Sequence, residues 1–431
     1  MAVQSYIKIK GGLKLKGEVK VSGAKNSVLP LLFSSLISEG EHHFKNIPDL
    51  KDLHLALKLL SSLGLSHKKL KQELIIQNRQ KLTGDPCPKS VQSFRASILC
   101  LGPLMDIGKT VKIPLPGGCD IGARPIDLHI ESLNKMGAKI CIKKSHIVAI
   151  APKNKLKACQ LKLKFPSVGA TENLIMACVL AKGTSFLENI ACEPEILDLI
   201  RYLNKMGAKI EQLKKRKLKI TGVKKLLTLK QAYPVIPDRI EAGTWLIAGA
   251  CVRGQITVKK CETKHLKSLF EKLKLIGFDV KWNSSTALLK PGSQHKSINV
   301  KTGVYPAFPT DLQSQFIALM TSLKGTSSLL ETIFENRFRY VEQLNRLGAG
   351  IQFENPSKIL VKGPVLLKSN KLMATDLRAG AGLVLAGLMT PGTSEVYGLH
   401  HIERGYENFV PKLKSLGADI QLCSSKSKLY K

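Results

Sequence analysis

Two ladders of glycine divide the chain into repeats, and no other feature limits its fold as tightly. Gly64, Gly137, Gly207, Gly277, Gly348 and Gly417 each follow an amphipathic helical stretch ending in Leu, Met or Ile, at intervals of 73, 70, 70, 71 and 69 residues. Gly40, Gly108, Gly183, Gly254, Gly325 and Gly392 each follow a more apolar stretch. A glycine just past a helix adopts the left-handed backbone that ends it without a Cβ clash. Strand-like runs follow both ladders, as at 184–187 and 208–210, and a further short strand usually comes next, as at 218–221. The sequence therefore predicts helix, strand, helix, strand, strand, six times over.

The sixth repeat is short of a strand, because after 418–422 the chain ends in a polar tail. Residues 6–11 resemble 218–222 and are expected to complete it. Three repeats per domain then give one domain of residues 25–233 and a discontinuous one of 1–24 plus 234–431.

Charge and cysteine narrow the function classes. Lys+Arg minus Asp+Glu is 67 − 32 = +35, which favours anionic partners. Of those cations 12 are Arg and 55 are Lys, with the Lys spread along the whole chain. Without a basic tail or interleaved aromatics, a dedicated nucleic-acid role is not expected. Ten cysteines without a CxxC argue against a disulfide framework or a structural zinc site. The start lacks an apolar signal core, and the stretch around 383–389 is too short to span a bilayer, so a soluble, cytoplasmic protein without membrane insertion is expected.

The repeat also locates the functional face. Six apolar helices are expected to start at Lys25-Asn26, Arg95, Ser167-Val168-Gly169, Asp238-Arg239, Asp311 and Asp376-Arg378. Helix N-termini favour anions. Asp238 and Asp376 read equally as N-caps or as ligand groups. Arg95, Arg239 and Arg378 do not suit that end of a helix, and an anionic ligand would resolve the conflict. From first to second ladder the distances are 24, 29, 24, 23, 23 and 25, so the second repeat carries about five extra residues. They fall in Pro116-Gly-Gly-Cys-Asp-Ile-Gly-Ala-Arg-Pro125, a loop with a thiol and an Arg. His400-His401 has no third partner for a metal and reads as structure.

Taken in order, Ser22-Gly-Ala-Lys-Asn26, Pro116-Gly-Gly-Cys119 through Arg124-Pro125, Pro166-Ser-Val-Gly-Ala-Thr171, Pro237-Asp-Arg-Ile-Glu241, Phe308-Pro-Thr-Asp311, Phe334-Glu-Asn-Arg337, Ala374-Thr-Asp-Leu-Arg378 and Arg404-Gly-Tyr-Glu407 resemble the UDP-N-acetylglucosamine 1-carboxyvinyltransferase family of enolpyruvyl transferases, over about residues 5–422. The resemblance implies an α/β fold of two inside-out α/β barrel domains, three repeats in each, closing over the substrates. It implies transfer of the enolpyruvyl group of phosphoenolpyruvate to the 3′-hydroxyl of UDP-N-acetylglucosamine with release of phosphate, at the start of peptidoglycan synthesis. Matching the family's motifs makes Cys119 the acid or covalent residue, Asp311 the base, and Lys25 a catalytic cation. Lys25, Arg95, Arg124, Arg337, Arg378 and Arg404 would surround phosphoenolpyruvate. Asn26, Arg95, Arg124, Pro125, Leu128, His129, Ser167, Val168, Gly169, Asp311 and Ile333 would meet the nucleotide sugar. The scheme requires no metal and no other cofactor, and a monomer is favoured.

Five positions depart from the family pattern. Cys192 stands where Arg is usual, Gly380 and Gly382 where small serines are common, Ala307 replaces a Gly, and Asp120 is an unusual acidic neighbour of the thiol. These bear on rate and loop behaviour rather than on reaction type. The related shikimate-pathway transferase, a basic nucleic-acid-binding protein and a non-catalytic paralogue stay open as rival readings.

Overall fold

The computed structural model describes residues 3–79, 81–84, 94–105, 110–115, 126–143, 146–153 and 155–426. They form two compact units: one takes the described residues up to Ser22 and from Pro237 on, the other those from Gly23 to Ile236. Each has its own apolar core. One core runs from Val28 to Val235, and the other joins Ile7–Val21 to Ile240–Ile420.

The repeat beginning at Val168 illustrates the plan. The helix Val168–Cys178 leads to the strand Thr184–Glu188, the helix Pro194–Lys205, and the strands Lys209–Lys214 and Lys217–Thr221. The last strand pairs antiparallel with both others, with Leu187 opposite Leu218 and Ile210 opposite Ile220, so the buried residues share one face. The outer helix stops where the ladder marks it. Asn204 Oδ1 accepts from the Ile210 amide (3.0 Å) while Asn204 Nδ2 donates to the Ile210 carbonyl (2.9 Å), closing the turn around Gly207. Asn345 does the same with Ile351, and Asn134 Oδ1 holds the Ile140 amide.

Five of the six sheets hold one strand more than the sequence predicts, and the sheet of the second repeat has three among the described residues. Gln160–Lys162 runs parallel to Thr184–Glu188, and Lys16–Lys20, Tyr233–Pro234, Asn299–Lys301 and Lys371–Met373 take the same place in other sheets. Most of these edge strands span two or three residues, too few to show alternation. In the sheet of the sixth repeat, Val3–Gly11 lies antiparallel between Gly392–Tyr397 and Asp419–Lys426. Ile7 and Ile9 of that strand are fully buried.

The first helix of a repeat is buried on nearly every side. Twelve of the thirteen residues of Arg239–Cys251 and eleven of the thirteen of Leu377–Met389 are buried. These two pack on each other and on Gln313–Met320, with the sheets of that unit outside them. The second repeat departs from expectation. Arg95 opens a 3₁₀ helix, Arg95–Cys100, and only Leu101–Leu104 is α-helical. Pro103 removes an amide that a continuous α-helix needs and crowds the carbonyl one turn back.

All six second-ladder glycines have positive φ, from 86° at Gly348 to 119° at Gly277. Gly254 of the first ladder does not. Arg253 takes the left-handed conformation there (φ 51°), and a Cβ on Gly254 would lie 2.2 Å from the Leu15 carbonyl oxygen. Two kinds of glycine requirement follow, and they separate in a stability measurement. Gly207 has open space around it, so Gly207→Ala should cost only the left-handed penalty, about 1–2 kcal/mol. Gly254→Ala must displace backbone and should cost more than about 3 kcal/mol. Urea unfolding midpoints compare them, and equal losses would refute the close-approach explanation.

Candidate active site

In the unit that contains residues 237–426, three helix starts bring charged groups together. Asp238 caps Arg239–Cys251 by accepting from the Ile240 and Glu241 amides (2.7 and 3.0 Å). Asp376 caps Leu377–Met389 through the amides of Arg378 and Ala379 (2.8 and 3.0 Å). Both aspartates are therefore N-caps, each worth about 1 kcal/mol. Asp311 lies in the 3₁₀ turn Thr310–Leu312 that leads into Gln313–Met320.

Asp311 gathers two of the expected arginines. Its Oδ1 is 3.1 Å from Arg337 Nη2 and its Oδ2 is 3.3 Å from Arg378 Nη2. Both guanidiniums are about 4% exposed, whereas the Asp311 side chain is 27% exposed. Arg378 also lies over the Tyr406 ring, 5.2 Å from its centroid. The Tyr406 hydroxyl meets Thr244 and Gln315, and Gln315 Nε2 returns to the Asp311 carbonyl (3.2 Å). Nε and Nη1 of Arg378 are buried and find no hydrogen-bond partner among the described residues. Buried donors without acceptors are rare. Arg404 follows the short helix Leu399–Ile402 and is half-buried.

Glu331 ties this cluster together, and sequence reasoning missed it. Its Oε2 accepts from Thr310 Oγ1 and Gln313 Nε2 (both 2.9 Å), on either side of Asp311. Its Oε1 accepts from the amides of Ile333 and Phe334 (2.7 and 3.3 Å). One buried carboxylate thus fixes both the Asp311 turn and the segment bearing Ile333. Six residues after the first-ladder glycine, Asn46, Asn189, Lys260 and Gly398 have positive φ in other repeats, a conformation that Glu331 does not share, but the residue types at this position follow no pattern that a sequence could reveal.

The unit from Gly23 to Ile236 assembles the other expected residues. Lys25 opens the helix Lys25–Ser34, is buried, and pairs with Asp52 at 2.7 Å; Asn26 beside it is half-buried. Ser167 caps Val168–Cys178 by accepting from the Ala170 amide (3.3 Å). His129, on Asp127–Lys135, lies beside the first turn of that helix, where a Cβ on Gly169 would be 3.7 Å from its Nε2. Asn173 holds the ring. Its Oδ1 accepts from the Gly102 amide (2.6 Å), so its Nδ2 donates to His129 Nδ1 (3.0 Å) and the ring proton sits on Nε2. Arg95 is half-buried, as are Leu128 and Val168. Cys119, Arg124, Pro125 and Asp120 lie outside the described residues.

The electrostatics follow from burial. His129 falls to about 4 through burial, with the Arg95 guanidinium adding to the effect, so its ring is a neutral donor. Burial pushes the Cys178 and Cys251 thiols up to about 12 and Cys261 up to about 11, which leaves them inert near neutrality. Cys192, in place of the usual Arg, is likewise raised by burial, although the nearby Arg216 pulls the other way. Glu172 is raised well above the ordinary range by burial and by Glu195 and Glu193. Among the described residues no group of three or more His, Cys, Asp or Glu is placed to hold a metal ion, and no helix is long and apolar enough to cross a membrane.

His129 supplies a pH test. Unfolded, it takes up a proton near 6.5; folded, only near 4. The unfolded state therefore holds more protons across that window, and stability should fall as pH drops through it, by up to about 3 kcal/mol from this residue. His129→Gln should lose that share of the acid slope in melting temperature between pH 6.5 and 4. An unchanged slope would show that the ring is not held neutral.

The family model described as EPSP synthase (3-phosphoshikimate 1-carboxyvinyltransferase) matches residues 9–413. The UDP-N-acetylglucosamine 1-carboxyvinyltransferase of Bdellovibrio bacteriovorus is 45% identical over 413 residues, covering 96% of this chain and 99% of that protein. The enzyme of the same name from Finegoldia magna is 43% identical over 420 residues, covering 96% and 98%. Among solved structures, the enolpyruvyl transferase NikO from Streptomyces tendae superposes with a TM-score of 0.88 at 21% identity, covering 98% of this chain and all of that one. EPSP synthase from Acinetobacter baumannii gives 0.73 at 17% identity, covering 97% and 100%; both likenesses concern the fold alone.

Proposed function

The chain belongs to the UDP-N-acetylglucosamine 1-carboxyvinyltransferases, within the wider enolpyruvyl transferase family, and from that premise we propose how its residues divide the reaction. It is a transferase that moves the enolpyruvyl group of phosphoenolpyruvate to the 3′-hydroxyl of UDP-N-acetylglucosamine, the first committed step of peptidoglycan synthesis. The observation that carries this function is identity of 43–45% along 96% of the chain to enzymes of that name.

In our reading the 3′-hydroxyl oxygen bonds to carbon 2 of phosphoenolpyruvate while carbon 3 gains a proton, giving a tetrahedral intermediate. Carbon 3 then loses a proton, the bond from carbon 2 to the phosphate oxygen breaks, and phosphate leaves with that electron pair. Cys119 donates to carbon 3 and Asp311 accepts the hydroxyl proton. Lys25, Arg95, Arg124, Arg337, Arg378 and Arg404 hold the carboxylate and phosphate. The buried, unsatisfied donors of Arg378 support that role. Asn26, Pro125, Leu128, His129, Ser167, Val168, Gly169 and Ile333 meet the nucleotide sugar, with His129 offering Nε2–H. The protein works as a cytoplasmic monomer on two soluble substrates, and its +35 charge is diffuse lysine surface without a nucleic-acid partner.

Phosphate release that requires both substrates tests the function, and substitutions test the roles. Cys119→Ser should lose nearly all turnover, because a serine hydroxyl is a far weaker acid than a thiol. Cys119→Asp should keep some turnover and escape thiol-alkylating epoxides of the fosfomycin type. Asp311→Asn should lower kcat while leaving nucleotide-sugar binding largely intact. Arg404→Lys should weaken phosphoenolpyruvate most, because a point charge cannot replace a bidentate fork. A fully active Cys119→Ser, or epoxide labelling at another cysteine, would remove Cys119 from the mechanism.

A further inference from the structure

Lys25 stands in a place that elementary electrostatics disfavours. It is the first residue of its helix, and the preceding Ala24 offers no side-chain cap. The N-terminus there carries partial positive charge, which repels an ammonium. The Lys25 side chain is also only 11% exposed, and burial without a counter-ion drives an ammonium toward the neutral amine.

Asp52 removes the conflict. It sits in the first turn of the neighbouring helix Lys51–Ser62, and its side chain is 5% exposed. The partial positive charge of that helix end favours a carboxylate. Its Oδ2 is 2.7 Å from Lys25 Nζ. The two helices pack against each other, so two rigid N-termini each contribute one partner. Other acidic or basic residues on elements packed against Lys25–Ser34 are Arg95 on the Arg95–Cys100 turn, Glu195, Asp198, Arg201 and Lys205 on Pro194–Lys205, and Lys51, His54 and Lys58 on Lys51–Ser62. Asp198 is already engaged by Ser27 Oγ, Tyr233 and Arg201. A buried ion pair adds little to stability by itself. The arrangement accounts better for a fixed direction and a fixed protonation state.

We propose that Asp52 is a positioning residue for enolpyruvyl transfer, holding Lys25 protonated and its ammonium fixed for the anionic substrate phosphoenolpyruvate. The inference rests on reading Lys25 as a substrate-binding cation.

The test reads Lys25 directly as well as through turnover. Acetylation of Lys25 by acetic anhydride, followed by peptide mass spectrometry across pH 6–11, reports where its amine deprotonates. In Asp52→Asn that midpoint should fall by about one pH unit or more, because loss of an opposite charge at this distance is worth ~1–3 units. The alkaline limb of kcat/KM for phosphoenolpyruvate should move down with it, while the KM for UDP-N-acetylglucosamine stays within about twofold of wild type. Asp52→Glu keeps the charge on a longer arm. It should hold the midpoint yet lower kcat/KM for phosphoenolpyruvate about tenfold, since a ~1 Å misplacement costs up to ~100-fold.

An unmoved midpoint in Asp52→Asn overturns the proposal. If that variant does not fold, an unaltered kcat/KM in Asp52→Glu overturns it instead. Full turnover of Lys25→Ala would overturn the reading of Lys25 itself, and a moved midpoint with an unmoved rate profile would do the same. Those two results are distinguishable from failure of the ion pair alone.

Discussion

A helix buried on every side can offer polar chemistry only at its ends, and the whole molecule follows from that constraint. Leu377–Met389 and Arg239–Cys251 have almost no exposed flank. Their side chains serve the core, so specificity and charge are confined to the first turn and to the loops that reach it. The residues expected to carry the chemistry obey this. Lys25, Arg95, Ser167, Asp311 and Arg378 all stand at or within two residues of a helix start. At three of the helix starts Asp238, Asp376 and Ser167 take up backbone amides that would otherwise be orphaned there.

Burying cations beside helix N-termini creates a second constraint, because a buried charge is costly without an opposite charge near it. Each unit solves this with an aspartate. Asp52 holds Lys25 at 2.7 Å, and both are deeply buried. Asp311 spans Arg337 and Arg378, leaving one surplus positive charge among the three, and it is the most exposed member. Glu331 steadies that cluster by fixing Thr310, Gln313 and the Ile333 turn from one point.

How much of this was legible in the sequence depends on length and on partners. The repeats could be read because a left-handed glycine leaves a mark that no other residue supplies at low cost, and all six second-ladder glycines have positive φ. The helix starts could be read because Asp, Ser and Arg interrupt apolar stretches. The short parallel edge strands could not, since two or three residues show no period. The 3₁₀ form of Arg95–Cys100 was hidden as well, because Pro103 alone does not decide it: Lys25–Ser34 stays α-helical with Pro30 inside it. Asp52, Asn173 and Glu331 escaped notice for another reason: nothing local distinguishes a carboxylate or amide that serves a residue of another element.

The family departures within Leu377–Met389 have a physical reading of the same kind. A Cβ on Gly382 would lie 2.8 Å from the backbone carbonyl of Ser314, and one on Gly380 would lie 2.7 Å from Ile402. Gly380 lets Leu377–Met389 approach Leu399–Ile402 closely, and Gly382 lets it approach Gln313–Met320. At that seam Ser314 Oγ donates to the Arg378 carbonyl (2.6 Å). Asp311 heads the helix that carries Ser314, so the seam sets the distance from Asp311 to Arg378. Gly382 thus sets how closely two buried helices meet behind the charged residues at their heads. A packing change that preserves this seam keeps the guanidinium within reach of the carboxylate, and a change that opens it would separate them.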